Sequence, residues 1–304
     1  GAGVAVARGF SDVSIGSDTG GSVRIPAALN GITGFKPTQQ RVPRDGAFPL
    51  SFTLDAVGPL ARSVLECAQA DAVMAGQLWQ PLPRRQLRGL RVGVPRGLLF
   101  TQTEDAVAQA FEQVLQALAQ AGARVDDVAL DDWLGAPARL QQNGSITAAE
   151  AAHIHADVLA HQPDAIDSAV LARLRPGQSI MAAHYVGLLR ARQRLMAELD
   201  AQIADYDVLL LPTVPMQAPR IDALDHDADA YHRTNVLLLR NTTVFNFYDL
   251  PALSLPITQP AGVLPVGLMV VGQRSADRAL LGIGHSLQTQ LAPLRWPAPC
   301  RGPL

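Results

Sequence analysis

Hydrophobic and polar positions follow two periods along this chain, and the two periods predict strands and helices in succession. Short apolar or β-branched runs predict strands at 12–15, 31–38, 90–94, 123–130, 207–211, 252–256 and 265–271. Apolar residues at helical spacing predict helices at 1–9, 22–29, 63–75, 104–121, 146–159, 167–174, 179–206, 235–247 and 277–288. Residues 55–60 are interpreted as a lead-in to the helix at 63–75, and residues 215–230 as an acidic loop.

Residues 90–130 have the order strand, helix, strand, which predicts a parallel pair joined by a crossover helix. No internal repeat interrupts this arrangement. The pattern therefore indicates a chain that combines strands and helices.

A glycine-rich turn at residues 16–26 lies between the first predicted strand and the helix that follows it. Gly20 and Gly21 permit backbone angles and close approaches that larger residues forbid, and Ser22 is the first hydroxyl after them. Such a turn can direct consecutive backbone N–H groups at one point. Three interpretations follow: a phosphate cradle, acyl transfer with Ser22 as nucleophile, or a serine that caps a helix. The phosphate cradle is disfavoured because the segment has neither a Walker pattern nor G-x-G-x-x-G.

Composition narrows the function classes. The 304 residues carry a net charge of −2, which gives no electrostatic reason to expect a nucleic-acid partner. No apolar run reaches the length of a membrane span, so no membrane partner is expected. The two cysteines, Cys67 and Cys300, do not form a disulfide framework, and Cys67 is expected to be a buried thiol. A cytoplasmic location is predicted from this cysteine usage.

Four segments resemble the amidase signature family. Residues 16–28 spell Gly-Ser-Asp-Thr-Gly-Gly-Ser-Val-Arg-Ile-Pro-Ala-Ala, and the similarity continues in register through 34–38, 41–43 and 54–64. The resemblance implies a three-layer α/β/α fold around a central mixed, twisted sheet. It implies one domain over residues 1–304, with a helical insertion at about 145–204. It also implies that the chain is the C-terminal two-thirds of such a protein and lacks its N-terminal part.

The same resemblance implies a Ser–cis-Ser–Lys catalytic set and no cofactor. Ser22 matches the family's nucleophile, and the backbone N–H groups of Thr19, Gly20, Gly21 and Ser22 match its oxyanion hole. Ser17 matches a hydroxyl that supports the proton relay. Asp18 and Arg24 match polar residues that hold the turn, and their spacing suits an internal ion pair.

The relay serine and the lysine base of the family have no counterpart in this sequence. By register both are expected upstream of Gly1, so the chain is expected to be inactive by itself. Lys36 is the only lysine and is therefore a rival candidate for the base. However, Phe-Lys-Pro-Thr at 35–38 matches a structural position of the family.

A metal site is not expected from the sequence. His153 and His155 fall on different faces of a predicted helix without a third ligand. The aspartates of the loop have no cage spacing; they are Asp222, Asp225, Asp227 and Asp229.

The resulting prediction is an amide hydrolase that forms an acyl-Ser22 intermediate on a small-molecule amide. Two alternatives stay open: the amidase subunit of a glutamyl-tRNA(Gln) amidotransferase, and a non-catalytic homologue. A homodimer is considered because related enzymes form dimers. Specificity is expected from residues 130–190 and 212–250. There, four side chains suit either an acyl pocket or the core, namely Met181, Phe245, Phe247 and Tyr248.

Overall fold

A computed structural model describes residues 1–225, 227–257 and 262–290. In these residues the strands β1 to β8 are Val13–Asp18, Thr33–Lys36, Ala56–Ala61, Arg91–Val94, Arg124–Asp127, Val208–Pro212, Ala252–Ile257 and Val266–Val271. The helices α1 to α12 are Ala2–Ala7, Arg24–Asn30, Val64–Met74, Asp105–Gln120, Asp131–Leu134, Ala136–Leu140, Ile146–Ile154, Ala156–His161, Ser168–Leu174, Ala182–Ile203, Ala228–Phe247 and Asp277–Gln290. None of the described helices is long and apolar enough to cross a membrane.

The strands form one mixed sheet in the order β1-β3-β2-β7-β8-β6-β4-β5. Strand β4 is parallel to β5 and β6, as the strand–helix–strand pattern predicts. The other pairs are antiparallel. The predicted mixed sheet is therefore confirmed.

Both faces of the sheet are covered by helices, because its central strands are apolar on both sides. In β6, Val208 and Leu210 pack in the core that α3, α4 and α12 cover. Leu209 and Leu211 point the other way, into the core that α10 and α11 cover. These layers confirm the predicted α/β/α fold. Cys67 lies in the first core as a buried thiol, as predicted.

Local signals explain where several helices begin and end. A capping box starts α3: Ser63 accepts a hydrogen bond from the Glu66 backbone N–H, and the Glu66 carboxylate accepts one from the Ser63 N–H. Gly31 ends α2 in the left-handed conformation, with φ of 66°. Both boundaries agree with the sequence-based expectations to within two residues.

Four sequence-based expectations were wrong. Residues 56–61 form strand β3 rather than a lead-in to a helix, and β1 continues through Gly16 to Asp18. The helix expected at 146–159 is divided at His155 into α7 and α8. Helix α11 begins at Ala228, where an acidic loop was expected, because Asp227 caps its first turn. Helices α7 to α10 occupy the predicted insertion, and their assignment to one domain with the rest of the chain stays a prediction.

Candidate active site

The glycine-rich turn lies between the end of β1 and the start of α2. Strand β1 is held along its length by β3, in a register that places Asp18 opposite Ala56. Helix α2 packs against β2, β7 and β8. The strand and the helix on either side of residues 19–23 are therefore fixed by the sheet, and the turn spans a short, defined gap.

Asp18 and Arg24 form a buried ion pair across the base of the turn. The Arg24 Nη2 lies 2.9 Å from Asp18 Oδ1, its Nε lies 3.1 Å from Oδ2, and neither side chain is exposed. Burial alone would raise the pKa of the Asp18 carboxyl, but the charge and hydrogen bonds of Arg24 outweigh burial and lower the pKa to about 2. The predicted internal ion pair is present in this geometry.

The same carboxylate also holds the first residues of α2. Asp18 Oδ2 accepts hydrogen bonds from the backbone N–H groups of Val23, at 3.2 Å, and of Arg24, at 3.3 Å. Asn246 on α11 donates to the Asp18 carbonyl oxygen at 2.8 Å and to its Oδ1 at 2.9 Å. Asp18 therefore joins β1, α2 and α11 at one point below the turn.

Helix α11 also holds the turn at Gly20. The Gly20 carbonyl oxygen accepts hydrogen bonds from the hydroxyls of Thr242, at 2.6 Å, and Thr243, at 3.1 Å. Gly21 has φ of +137°, a conformation that strongly favours glycine. A Cβ at this position would lie 2.6 Å from Cδ1 of Ile25 and would also overlap Thr242. The second glycine is therefore required by both its backbone angle and its neighbours.

Four consecutive backbone N–H groups of the turn have no hydrogen-bond acceptor among the residues that the structure describes. They belong to Thr19, Gly20, Gly21 and Ser22. The next two N–H groups along the chain are those bound to Asp18. The side chain of Ser22 is exposed, and its hydroxyl makes no hydrogen bond within the described residues. An exposed serine hydroxyl and a set of unused donors thus share one turn.

Thr19 connects the turn to the loop that precedes β3. Its hydroxyl donates to Asp55 Oδ1 at 2.5 Å, and both residues are buried. Asp55 Oδ2 accepts hydrogen bonds from the backbone N–H groups of Leu50, at 2.8 Å, and Ser51, at 2.9 Å. Asp55 therefore ties Thr19 of the turn to the loop at 50–55.

Ser17 lies on β1, one residue before Asp18, and is exposed. Its hydroxyl has no hydrogen-bond partner in the described part of the chain, and its support of a proton relay stays a prediction.

Lys36 is not placed as a base for Ser22. Its side chain is fully buried, and its Nζ donates to the Pro37 carbonyl oxygen at 2.8 Å. Burial lowers the pKa of the ammonium group, the charge of Asp249 opposes this shift and that of Arg24 adds to it, and the resulting pKa is about 8. No hydrogen bond joins Lys36 to Ser22 in the part of the chain that the structure describes. These contacts favour the structural interpretation of Lys36.

Several residues that hold the turn were missed in the sequence. Asn246, Thr242 and Thr243 lie more than two hundred residues from the turn, and Asp55 lies 36 residues from Thr19. One signal was available for the residues on α11, because they are polar positions next to apolar residues at the end of a helix. Their partners could not be inferred from that pattern.

The aromatic side chains considered for an acyl pocket belong mostly to the core. Phe245, Phe247 and Tyr248 are buried and pack in the core under α10 and α11, while Met181 is exposed. The rings of His153 and His155 lie at tilted angles to exposed phenylalanines, with ring centroids 6.4 Å from Phe52 and 5.5 Å from Phe48 respectively. Among the described residues, no group of three His, Cys, Asp or Glu side chains is placed to hold a metal ion.

Comparison with known proteins assigns this geometry to a family. The sequence model of the family described as Amidase matches residues 1–281. The chain belongs to the amidase family. Two curated members are 2-amino-5-chloromuconic acid deaminase of Comamonas testosteroni and indoleacetamide hydrolase of Agrobacterium vitis, with 34% and 32% identity over 95% of this chain. The glutamyl-tRNA(Gln) amidotransferase A subunit of Roseiflexus sp. (strain RS-1) is 33% identical, also over 95% of the chain.

Solved amidase structures have the same fold. A crystal structure of an amidase, 33% identical, superposes with a TM-score of 0.84 over 96% of this chain and 65% of its own. A 6-aminohexanoate cyclic dimer hydrolase complexed with substrate gives a TM-score of 0.80 at 25% identity, over 96% of this chain and 67% of its own. The chain spans 62% of the Comamonas relative and 65% of the Agrobacterium and Roseiflexus relatives.

Proposed function

We propose that this protein hydrolyses a carboxamide through an acyl-Ser22 intermediate. The observation that carries the proposal is the exposed Ser22 on a turn with four unused backbone N–H groups. An oxyanion hole needs donors that are held in place before charge develops on the substrate oxygen. The Asp18–Arg24 pair, Asp55 and the hydroxyls of α11 hold the turn in this way.

In the proposed reaction, the Ser22 oxygen attacks the amide carbon and loses its proton to a base. The carbonyl oxygen takes up negative charge, which the N–H groups of Thr19, Gly20, Gly21 and Ser22 stabilise. The C–N bond then breaks, and ammonia or an amine leaves with the proton that the base returns. Water attacks the acyl ester by the reverse sequence of proton transfers, which releases the carboxylate and restores Ser22.

The base and the relay are proposed to follow the family's Ser–cis-Ser–Lys arrangement, with Ser17 supporting the relay. Lys36 is not proposed as the base, because it is buried and its ammonium donates to the Pro37 carbonyl oxygen; the relay serine and the lysine are proposed to come from the part of the family's length that residues 1–304 do not cover. Residues 1–304 alone are then expected to show no turnover, while a longer native protein is active. Intact mass of the native protein and assay of both forms test this assignment.

The test of Ser22 is its replacement in the longest native form of the protein. Ser22→Ala is expected to lower kcat by about 10⁶, because loss of a catalytic nucleophile has effects of that size. Wild-type protein treated with a fluorophosphonate should gain the mass of one phosphonyl group at Ser22. Ser179, an exposed serine whose hydroxyl donates to the Pro176 carbonyl oxygen, provides the control Ser179→Ala. Wild-type turnover in Ser22→Ala would exclude Ser22, and an unlabelled wild type would favour a non-catalytic homologue.

The substrate is proposed to be a small-molecule amide. Relatives are named for indoleacetamide, 2-amino-5-chloromuconic acid and a cyclic 6-aminohexanoate dimer, which supports small organic acids and amides as the substrate class. The name of the Agrobacterium relative, an indoleacetamide hydrolase, favours an apolar acyl group. Comparison of kcat/KM for indole-3-acetamide and acetamide tests this preference. A higher value for acetamide would contradict it.

A second candidate is the amidase subunit of a glutamyl-tRNA(Gln) amidotransferase, which relatives of 26% to 33% identity support. Co-purification of a partner protein with tRNA, and ammonia transfer to glutamyl-tRNA, would favour this function over free amide hydrolysis.

For the hydrolase we propose a cytoplasmic location and a homodimeric state. Cell fractionation tests the location, and light scattering of the purified protein tests the oligomeric state.

A further inference from the structure

Glu150, on α7, carries a buried carboxylate with four hydrogen-bond donors. Tyr185 on α10 donates its hydroxyl at 2.5 Å, the Thr53 backbone N–H donates at 3.1 Å, and the hydroxyls of Ser51 and Thr53 complete the set. No arginine or lysine forms an ion pair with Glu150 among the described residues. Burying a carboxylate is costly unless its oxygens are hydrogen-bonded. These donors therefore stabilise the buried Glu150 carboxylate, and the carboxylate in turn fixes the positions of the donor residues.

Ser51 connects the hydrogen bonds of Glu150 to the glycine-rich turn that carries Ser22. Its hydroxyl donates to Glu150, while its backbone N–H donates to Asp55 Oδ2 at 2.9 Å. The other oxygen of Asp55 accepts the hydroxyl of Thr19 at 2.5 Å. A continuous set of hydrogen bonds therefore runs from α10 to the turn, through Tyr185, Glu150, Ser51, Asp55 and Thr19.

The direction of the Thr19 backbone N–H depends on this set. Gly20 and Gly21 have no side chains that could hold the turn. Apart from Thr19, the turn is held by the Asp18 carboxylate and by the hydrogen bonds to the Gly20 carbonyl oxygen. Asp55 is the side-chain hydrogen-bond partner of Thr19 in the described residues. Displacement of a catalytic group by about 1 Å can lower the rate by about 10². A shift of the loop at 50–55 would therefore act on the first donor of the proposed oxyanion hole.

We propose that Glu150 is a positioning residue, which fixes the Thr19 N–H for reaction at Ser22 by holding the 50–55 loop against α7 and α10. The inference rests on the proposed function of Ser22. Glu150 touches neither the turn nor Ser22, and it acts through Ser51 and Asp55. Its loss should therefore affect stabilisation of the developing oxyanion more than binding of the uncharged substrate.

The experiment compares Glu150→Gln with Asp71→Asn in the longest native form. Asp71 is a matched control, because it is also a buried carboxylate, bound to Arg41 at 2.6 Å and without a hydrogen bond to the turn. In Glu150→Gln we expect kcat and the rate of Ser22 labelling by a fluorophosphonate to fall about 10- to 100-fold, with KM changed less than about twofold. In Asp71→Asn we expect a lowered Tm with both rates unchanged. Thr53→Ser, which keeps the hydroxyl, should retain activity that Thr53→Val loses.

A second readout is independent of turnover. In protein labelled with [¹⁵N]glycine, the amide cross-peaks of Gly20 and Gly21 should move in Glu150→Gln and stay in place in Asp71→Asn. The proposal is overturned if Glu150→Gln lowers Tm as Asp71→Asn does but keeps the wild-type kcat, labelling rate and glycine cross-peaks. If wild-type protein is not labelled at Ser22, the proposed function fails and the positioning role fails with it, wherever the cross-peaks lie.

Discussion

Arg24 forms an ion pair with Asp18, six residues earlier in the chain, and this pair joins the two ends of the turn that carries Ser22. Both side chains are fully buried, with 2.9 Å between Arg24 Nη2 and Asp18 Oδ1. The guanidinium also donates to the Thr242 carbonyl oxygen at 3.2 Å and to Asn246 Oδ1 at 2.5 Å. The ion pair therefore joins the two ends of the turn to α11, and its effects on stability can be measured without a substrate.

Removal of the guanidinium should be severely destabilising. Arg24→Met leaves the Asp18 carboxylate buried without its cation, and breaking a buried pair in this way costs about 3–5 kcal/mol. Urea unfolding measures the change. The control is Arg62→Met, which breaks the exposed pair with Asp12 and should cost less than about 1 kcal/mol. Equal losses for the two variants would show that burial does not set the contribution of the Asp18–Arg24 pair.

Acid should weaken the fold through the same carboxylate. Burial would raise the pKa of Asp18, but Arg24 outweighs burial and lowers the pKa to about 2, from 3.8 in the absence of these interactions. The Asp18 carboxyl therefore binds a proton at a higher pH in the unfolded state than in the folded state. The pair's contribution, roughly 2 kcal/mol, is complete above the unfolded pKa and disappears as the pH approaches 2.

The measurement is the free energy of unfolding of wild type and Asp18→Asn across this acid range. The difference between the two proteins should shrink as the pH falls from about 5 to about 2. Parallel curves over that interval would contradict the lowered pKa of Asp18.

Lys36 should have the opposite dependence, at alkaline pH. Burial lowers its pKa from 10.5 to about 8, so the unfolded state binds the proton more tightly than the folded state. Stability should therefore rise as the pH increases from about 8 to 10.5, and Lys36 should cost up to roughly 3 kcal/mol below that window. Lys36→Met should be more stable than wild type at neutral pH, and this advantage should disappear above the window.

The titration of Lys36 can be observed directly. Since Lys36 is the only lysine, protein labelled with ¹³C-lysine gives one Cε signal, whose shift with pH reports the pKa. A midpoint near 10.5 would show that the folded protein exposes or solvates this ammonium, and the predicted rise in stability would then be absent.

The turn could be predicted from the sequence because its parts are close along the chain. The glycines, Ser22 and the Asp18–Arg24 pair lie within a span of seven residues, and their spacing alone limits how they can meet.

The strand β3 could not be predicted in the same way. It contains Gly58 and Pro59, which usually interrupt strands, yet Gly58 is needed there because a Cβ would contact the Phe35 backbone.

The supports of the turn could not be predicted because they come from distant parts of the chain. The Asn246–Asp18 contacts span 228 residues, and the Ser51–Glu150 contact spans 99. Their formation depends on the tertiary fold, which brings α11 against the turn and α7 against the loop at 50–55, and not on any local pattern. The polar positions of α11 indicate buried hydrogen bonds, but only the fold identifies the acceptors.

Replacement of Gly21 should disturb the turn through both its backbone angle and its close neighbours. Gly21→Ala forces a side chain into φ of +137° and places its Cβ 2.6 Å from Ile25 Cδ1. The strain and the overlap together should cost roughly 2–4 kcal/mol and should displace the Gly21 and Ser22 amides. Gly46→Ala is the matched control, since Gly46 has φ of +82° but nothing within 4 Å of a Cβ. It should lose about 1 kcal/mol and keep the wild-type rate of Ser22 labelling. If urea unfolding and fluorophosphonate labelling give the same values for both variants, the close contacts of Gly21 with Ile25 and Thr242 do not position the turn.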